Sequence, residues 1–298
     1  MLPDGFRDGK RSRSMEGAAV IRSDRYIAFL LSTLPKLART RLYRPGWPFP
    51  MRRLAVLDRA LRVVRPLPGI ALEFGVYRGR SLRHAARRQR ARKFYGFDSF
   101  QGLPPDGRGD WQIDFATAAL PQVPANCRLI AGWFADTIPL FLREDDSGIA
   151  FVGIDCDVYS SAREVLFGLA DRLRPGTILY FDELINYDTF LWNEMLALFE
   201  FLDATGMGVE WIGAHCRVRT VPEVFACYDA EWYPPWRADV AAGYHRPAAA
   251  ILTTGNSDLD LLQRPAQAAR IAALAAAFDG FTERYRALRA EAAPASGL

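Results

Sequence analysis

The stretch Ile154-Asp155-Cys156-Asp157-Val158-Tyr159 decides how this chain folds. It closes an apolar run, residues 149–154, and it has an echo where the apolar run 177–181 is followed by Asp182 and Glu183. Short apolar runs bounded by turn residues read as buried strands. The segment between them, residues 160–175, has the length of a helix. It finishes with Arg172 and Arg174 in its last turn and with Pro175-Gly176 as a stop. Strand, helix and strand at this spacing form a right-handed crossover, so the two strands are parallel and their carboxyl ends share one edge. That edge of an open α/β sheet is where ligands bind, and Asp155, Asp157, Asp182 and Glu183 are brought to it.

Four neighbouring carboxylates repel unless a cation or a proton holds them together. With oxygen donors alone on offer, the cation expected is hard, magnesium or calcium before zinc. A plainer reading competes: acids after strands also cap helices and start turns, and Asp157 stands where it could cap a helix beginning near Ser160. Two acidic pairs on successive strands favour the ligand site over the cap.

The 298 residues carry a net charge of +4, with half of them hydrophobic and 24% charged, which describes a globular chain with ample core. The basic residues are mostly arginines scattered over helical faces, so no nucleic-acid platform is expected. Cys127, Cys156, Cys216 and Cys227 lack the paired spacing of a zinc site or a disulfide framework, which points to reduced thiols in the cytoplasm. No apolar run is long enough for a membrane span, and the Arg-rich start lacks the order of a signal peptide.

Residues 1–20 read as a disordered tail. Apolar spacing from Ser23 to about Tyr43, and again from Met51 to Val64, predicts two helices, separated by Pro45-Gly46-Trp47-Pro48, as an N-terminal helical layer over 21–65. The main domain, 66–254, opens on a strand at 69–74. Gly75-Val76-Tyr77-Arg78-Gly79-Arg80-Ser81 follows, with a helix to about Arg90 and a second strand, 93–97, that ends at Asp98. A glycine turn followed by a second-strand acid is the geometry that holds a nucleoside: glycine admits close approach of a ligand, and a carboxylate accepts from two ribose hydroxyls. The pattern is not GxGxxG, and Glu73 would repel a pyrophosphate, so a neutral or cationic nucleoside fits better. The long connection 99–126, with Trp111, Ile113, Phe115 and Leu120, is a lid or acceptor-pocket candidate or a surface loop. A third strand, 128–132, leads into Trp133-Phe134, either of which stacks on a purine or belongs to the core. Runs 209–212 and 248–253 are expected to close the sheet as an antiparallel pair, and 255–298 reads as an Ala-rich helical extension that covers the core or forms a dimer.

Taken together, ALEFGVYRGRSL at 71–82, YGFDSFQGLPP at 95–105, GWFADTIP at 132–139, IDCDVYSS at 154–161 and RPGTILYFDEL at 174–184 resemble the macrocin O-methyltransferase family over about residues 65–215. The resemblance implies an α/β, Rossmann-like seven-stranded methyltransferase sheet with helices on both faces. It implies an enzyme that uses S-adenosylmethionine and Mg²⁺ to methylate a hydroxyl of a small natural-product, sugar or diol acceptor. By the same likeness Glu73, Gly75, Tyr77, Gly79 and Ser81 line the methionine part of the cofactor, Asp98 and Ser99 the ribose, and Gly132, Trp133 and Phe134 the adenine, with Asp155 close by. Asp157, Asp182 and Glu183 are the implied metal ligands. One departure stands out: the family's second acidic pair is commonly Asp-Asp, and Glu183 is longer by a methylene, which matters to an ion that demands octahedral geometry.

The sulfonium methyl is already activated, so such an enzyme aligns it with an acceptor oxygen and makes that oxygen nucleophilic. Asp157 is the preferred proton acceptor and His215 the runner-up. Two other readings stay open: a methyltransferase without metal whose acids merely cap, and a non-catalytic cofactor-binding scaffold.

Overall fold

A computed structural model describes residues 22–42, 49–104, 115–215, 217–229 and 246–292. The expected tail, the Pro45–Pro48 break, Trp111, Ile113 and Cys216 lie outside the described residues. Strands β1 (Ile70–Phe74), β2 (Phe94–Asp98), β3 (Cys127–Ala131), β4 (Ile149–Ile154), β5 (Ile178–Phe181), β6 (Met207–Ala214) and β7 (Ala248–Thr254) form one sheet in the order β3-β2-β1-β4-β5-β7-β6. β1 to β5 are parallel, and β7 lies antiparallel between β5 and β6. This is the seven-stranded arrangement that the resemblance implies, closed by the expected antiparallel pair.

The chain leaves β1 for β2 on one side and reaches β4 on the other, so the strand order reverses between β1 and β4. In open α/β sheets the carboxyl ends at such a switch point are where ligands bind. β1 and β4 are buried along their whole length, as parallel strands covered on both faces must be.

Alternate residues feed two cores, because side chains of a strand point to opposite faces. Leu72, Phe74, Leu179 and Phe181 join the core built with α1 (Ser23–Ala38), α4 (Phe134–Glu144), α5 (Tyr159–Gly168), α6 (Glu194–Thr205), α7 (Val221–Asp229) and α8 (Pro265–Ala292). Ala71, Ile178 and Tyr180 join the core built with α2 (Phe49–Val64) and α3 (Arg80–Arg88). The two N-terminal helices therefore do not make one layer: α1 and α2 cover opposite faces. The C-terminal extension is part of the core as well. Trp192, in a short 3₁₀ turn before α6, stacks between Phe278 and Tyr285 of α8, and its Nε1 donates to Thr282 Oγ1 at 3.0 Å.

Helix α5 stops at Gly168, well short of Pro175. Residues 169–173 continue as single turns, and Arg172 instead donates to the carbonyls of Asp145 and Ser147, bracing the loop before β4. Among the described residues no helix is long and apolar enough to cross a membrane, and Cys127, Cys156 and Cys227 are unbridged.

Candidate active site

The glycine turn is built by two acids. Beyond β1 the chain passes so close to β4 that a Cβ on Gly75, at φ +89°, would sit 1.7 Å from the Asp155 carbonyl oxygen. Only glycine fits there, and the reason is this backbone crossing. Tyr77 follows in the left-handed region at φ 49° and Gly79 at φ 69°, opening α3. What holds the turn is Asp98: its Oδ2 accepts from the amides of Val76 at 2.8 Å and Tyr77 at 2.6 Å, and its Oδ1 accepts from Phe100 at 2.7 Å. Each carboxylate oxygen has two lone pairs, so Oδ2 is filled and Oδ1 keeps one. The sequence expectation of two hydroxyls held by Asp98 therefore meets a carboxylate with room for one.

Glu73, on β1, is buried, and Ser81 Oγ donates to its Oε1 at 2.9 Å. Burial pushes its carboxyl up to about 8. The Ser81 bond and the Leu82 amide oppose this, while the charges of Asp182 and Asp98 add to it. Ser99 is engaged locally, donating to the Gly102 carbonyl at 2.9 Å and accepting from the Gln101 amide. At the end of β3, Gly132 takes φ +140°. Phe134 packs its ring edge-on against Phe74 at 5.3 Å, inside the core, whereas Trp133 is 36% exposed beside it. Of the two aromatics, Trp133 is the one left with a face for a ligand.

A cavity of about 380 Å³ opens over this turn, lined by Tyr77, Arg78, Arg83, Thr117 and Pro121 among others. Phe115 meets the Tyr77 ring edge-on at 5.4 Å, and the Arg78 guanidinium lies over the same ring at 5.0 Å. The far end of the 99–126 connection thus folds back onto the cofactor-type turn.

The second half of the site is acidic. Asp157 is buried and holds φ 62°, and the N-cap of α5 is the residue after it, Val158. Asp182 Oδ1 accepts from the Tyr180 hydroxyl at 2.6 Å. Asp155 lies on the β1 side of the pair, its amide bonded to the Phe74 carbonyl at 2.9 Å. Glu183 is ion-paired with Arg246. That arginine is anchored twice more: its guanidinium lies over the Tyr187 ring at 5.1 Å, and its carbonyl accepts from the Leu184 and Ile185 amides at 3.0 and 3.2 Å. His215, the runner-up base, is buried past the end of β6, its amide bonded to the Pro247 carbonyl at 3.2 Å.

Two residues here escaped the reading of the sequence. Glu194, the first residue of α6, is 0% exposed, and neither carboxyl oxygen completes a hydrogen bond. Burial, then the charges of Glu183, Asp157 and Asp182, hold its carboxyl well above the usual carboxylate range, against a weaker pull from the Cys156 amide. The signal that could have found it is one charge inside the apolar run 190–199. Arg246 was hidden because it reaches the site only through the antiparallel insertion of β7, which sets Ala248 opposite Phe181. Among the described residues no three His, Cys, Asp or Glu already stand in a ligating arrangement.

Among curated proteins none matches this chain. Solved structures similar to it include the calicheamicin methyltransferase CalS11, 24% identical over 66% of this chain and 92% of that one with a TM-score of 0.45. The O-methyltransferase NovP is 18% identical over 76% and 96%, with a TM-score of 0.39. An O-methyltransferase from Bacillus cereus in complex with SAH is 11% identical over 80% and 94%, with a TM-score of 0.40. A family model described as a methyltransferase domain matches residues 72–184, from within β1 to just past Glu183, a span that holds the glycine turn, Asp98 and both acidic pairs.

Proposed function

We propose that the protein is an S-adenosylmethionine-dependent O-methyltransferase of a small hydroxylated acceptor, a natural product, sugar or diol. The observation that carries this reading is the Asp98-braced glycine turn at the switch point of the sheet, inside the segment matched by a methyltransferase domain. The ordered motifs resembling the macrocin O-methyltransferases support the same reading.

In it, the turn from Gly75 to Gly79 supplies backbone room for the methionine part of the cofactor, and Glu73 and Ser81 give it a polar floor. Asp98 Oδ1 meets one ribose hydroxyl, and Trp133 offers its exposed face to the base. A carboxyl at Glu73 suits the cationic cofactor, since a positive charge beside it favours the ionised form. Asp157 faces the acceptor and takes the hydroxyl proton as oxygen attacks the sulfonium methyl. The methyl–sulfur bond breaks, its electron pair stays on sulfur, and the neutral thioether product leaves. Burial keeps water from competing for the methyl group.

The donors at the acidic edge are carboxylate oxygens, the type a hard divalent cation takes, and among the described residues no three of them stand in a ligating arrangement. Asp157, Asp182 and neighbouring carboxylates would hold Mg²⁺, which when bound lowers the pKa of an acceptor hydroxyl. The Glu183–Arg246 pair favours a second reading, in which the acids are balanced within the protein and transfer proceeds without metal.

Calorimetric titration with S-adenosylmethionine and its demethylated product, with Mg²⁺ and then EDTA, tests the proposal. Binding of both, followed by methyl transfer to a diol panel, is the expected result. A folded, ligand-free sample that binds neither overturns it, and transfer that survives EDTA selects the metal-free reading.

A further inference from the structure

The cavity of about 380 Å³ between the glycine turn and residues 116–121 is cationic. Arg78 and Arg83 both line it, no acidic side chain does, and from Phe74 to Phe97 the chain carries no acidic residue at all. Asp98, bonded to the amides of Val76 and Tyr77, does not reach the lining. Arg83 is held in place: its Nη1 donates to the Arg78 carbonyl at 2.7 Å and to the Gln122 carbonyl at 3.3 Å, which ties the turn to the far wall. Neither guanidinium has a carboxylate partner among the described residues, and that of Arg78 is placed only by lying over the Tyr77 ring.

The far wall adds a third donor. The Thr117 amide donates to the Phe100 carbonyl at 3.1 Å, which fixes that residue, yet its Oγ1 is buried with no hydrogen-bond partner among the described residues. A buried hydroxyl is unfavourable there unless something binds it. The rest of that wall is alanine at 116, 118 and 119, with Pro121 beyond, so short side chains leave the space open. Gly79, at φ 69°, puts bare backbone beside it, and a Cβ there would stand 3.1 Å from Arg83 Nη1 and 3.4 Å from Pro121. Two guanidinium groups and an unpartnered hydroxyl around one open space match an oxyanion, since the guanidinium fork pairs with carboxylate and phosphate oxygens.

We propose that this cavity binds an oxyanion carried by the methyl acceptor, a phosphate or a carboxylate group, through Arg78, Arg83 and Thr117. This rests on the methyltransferase reading given above and narrows it: the acceptor is an acid. The anion anchors the acceptor beside the cofactor turn, and the uncompensated arginines draw acidic acceptors toward it.

The test is calorimetric titration of the full-length chain, first saturated with the demethylated cofactor, with glucose 1-phosphate, glucuronate and glucose. Saturation with the cofactor keeps its own carboxylate from being mistaken for the bound anion. At least one charged sugar is expected to bind at least about 10-fold tighter than glucose, the scale of one charge-assisted hydrogen bond. Preference for glucose 1-phosphate identifies a phosphate site and preference for glucuronate a carboxylate site. Arg78→Gln, an exposed position, and Thr117→Val are each expected to weaken that binding at least about 5-fold while the demethylated cofactor binds within about 3-fold of wild type. A wild type that binds the cofactor and favours neither charged sugar overturns this inference alone, as does unchanged affinity in Arg78→Gln. An equal loss of cofactor affinity in Arg78→Gln assigns the arginine to the cofactor's carboxylate and also overturns it. A folded wild type that does not bind the cofactor overturns the methyltransferase reading, and this inference with it.

Discussion

The Tyr77 amide donates to Asp98 Oδ2 at 2.6 Å, so the acid that ends β2 holds in place a left-handed residue just beyond β1. Strand end and turn are one unit: the carboxylate that ends β2 also shapes the loop beyond β1.

Asp98→Asn therefore acts on stability as well as on binding. A charged acceptor of three amides becomes a neutral one with a single acceptor oxygen. Hydrogen bonds to charged groups contribute about 1.5–3 kcal/mol each, so the expected loss is about 2–4 kcal/mol in denaturant unfolding. Calorimetry should show the affinity for the demethylated cofactor reduced at least about 10-fold, a ribose contact being worth roughly 1.4 kcal/mol or more.

Glu73 makes stability depend on pH. Its carboxyl, raised from 4.5 to about 8, keeps in the folded state a proton that the unfolded chain releases. Its contribution is complete below about pH 4.5, declines as pH rises, and is gone above about pH 8, with a slope of up to about 1.4 kcal/mol per unit. Glu73→Gln removes that slope. Unfolding of ligand-free wild type and variant between pH 5 and 8 should show the wild type losing stability relative to the variant, and parallel curves would contradict the burial of an ionisable group there.

Asp157 is best probed with asparagine. Its φ of 62° lies in the left-handed region, where Asn is tolerated and Ala carries a strain of about 1 kcal/mol or more. Asp157→Asn is expected to abolish methyl transfer while the demethylated cofactor binds within about threefold of wild type, a difference under roughly 0.7 kcal/mol. Asp157→Ala adds a lower melting temperature. Wild-type turnover by the Asn variant would remove Asp157 from the reaction.

The C-terminal helix belongs to the fold. Phe278 is fully buried between Tyr26 of α1 and Trp192. Phe278→Ala should cost about 3–5 kcal/mol, as other buried aromatic truncations do. A destabilisation under about 1 kcal/mol would show α8 to be peripheral.

The backbone plan was legible in the residues because it rests on local pattern. Apolar runs such as 149–154 and 177–181 need no long-range information to be read as buried strands, and the right-handed crossover rule then puts Asp155, Asp157, Asp182 and Glu183 on one edge. The glycine turn and Asp98 followed from spacing alone. Helix lengths followed less well: α5 ends at Gly168, and Arg172, expected in its last turn, instead bonds the carbonyls of the loop before β4. Helix α7 does carry a cap signal that the reading of the sequence passed over: in Thr220-Val221-Pro222-Glu223 the Glu223 carboxylate accepts from the Thr220 amide at 2.8 Å.

What the sequence determined by itself, then, is the strand-and-crossover order and the acids at its edge, since periodicity and turn chemistry act between near neighbours. Tertiary structure alone decided which face α1 and α2 cover, that Phe134 belongs to the core while Trp133 stays open, that Glu194 is buried and that Arg246 pairs with Glu183. Those outcomes depend on burial and on charge meeting charge across residues far apart in the chain, and they arise only when β7 slots between β5 and β6 and α6 packs beneath them.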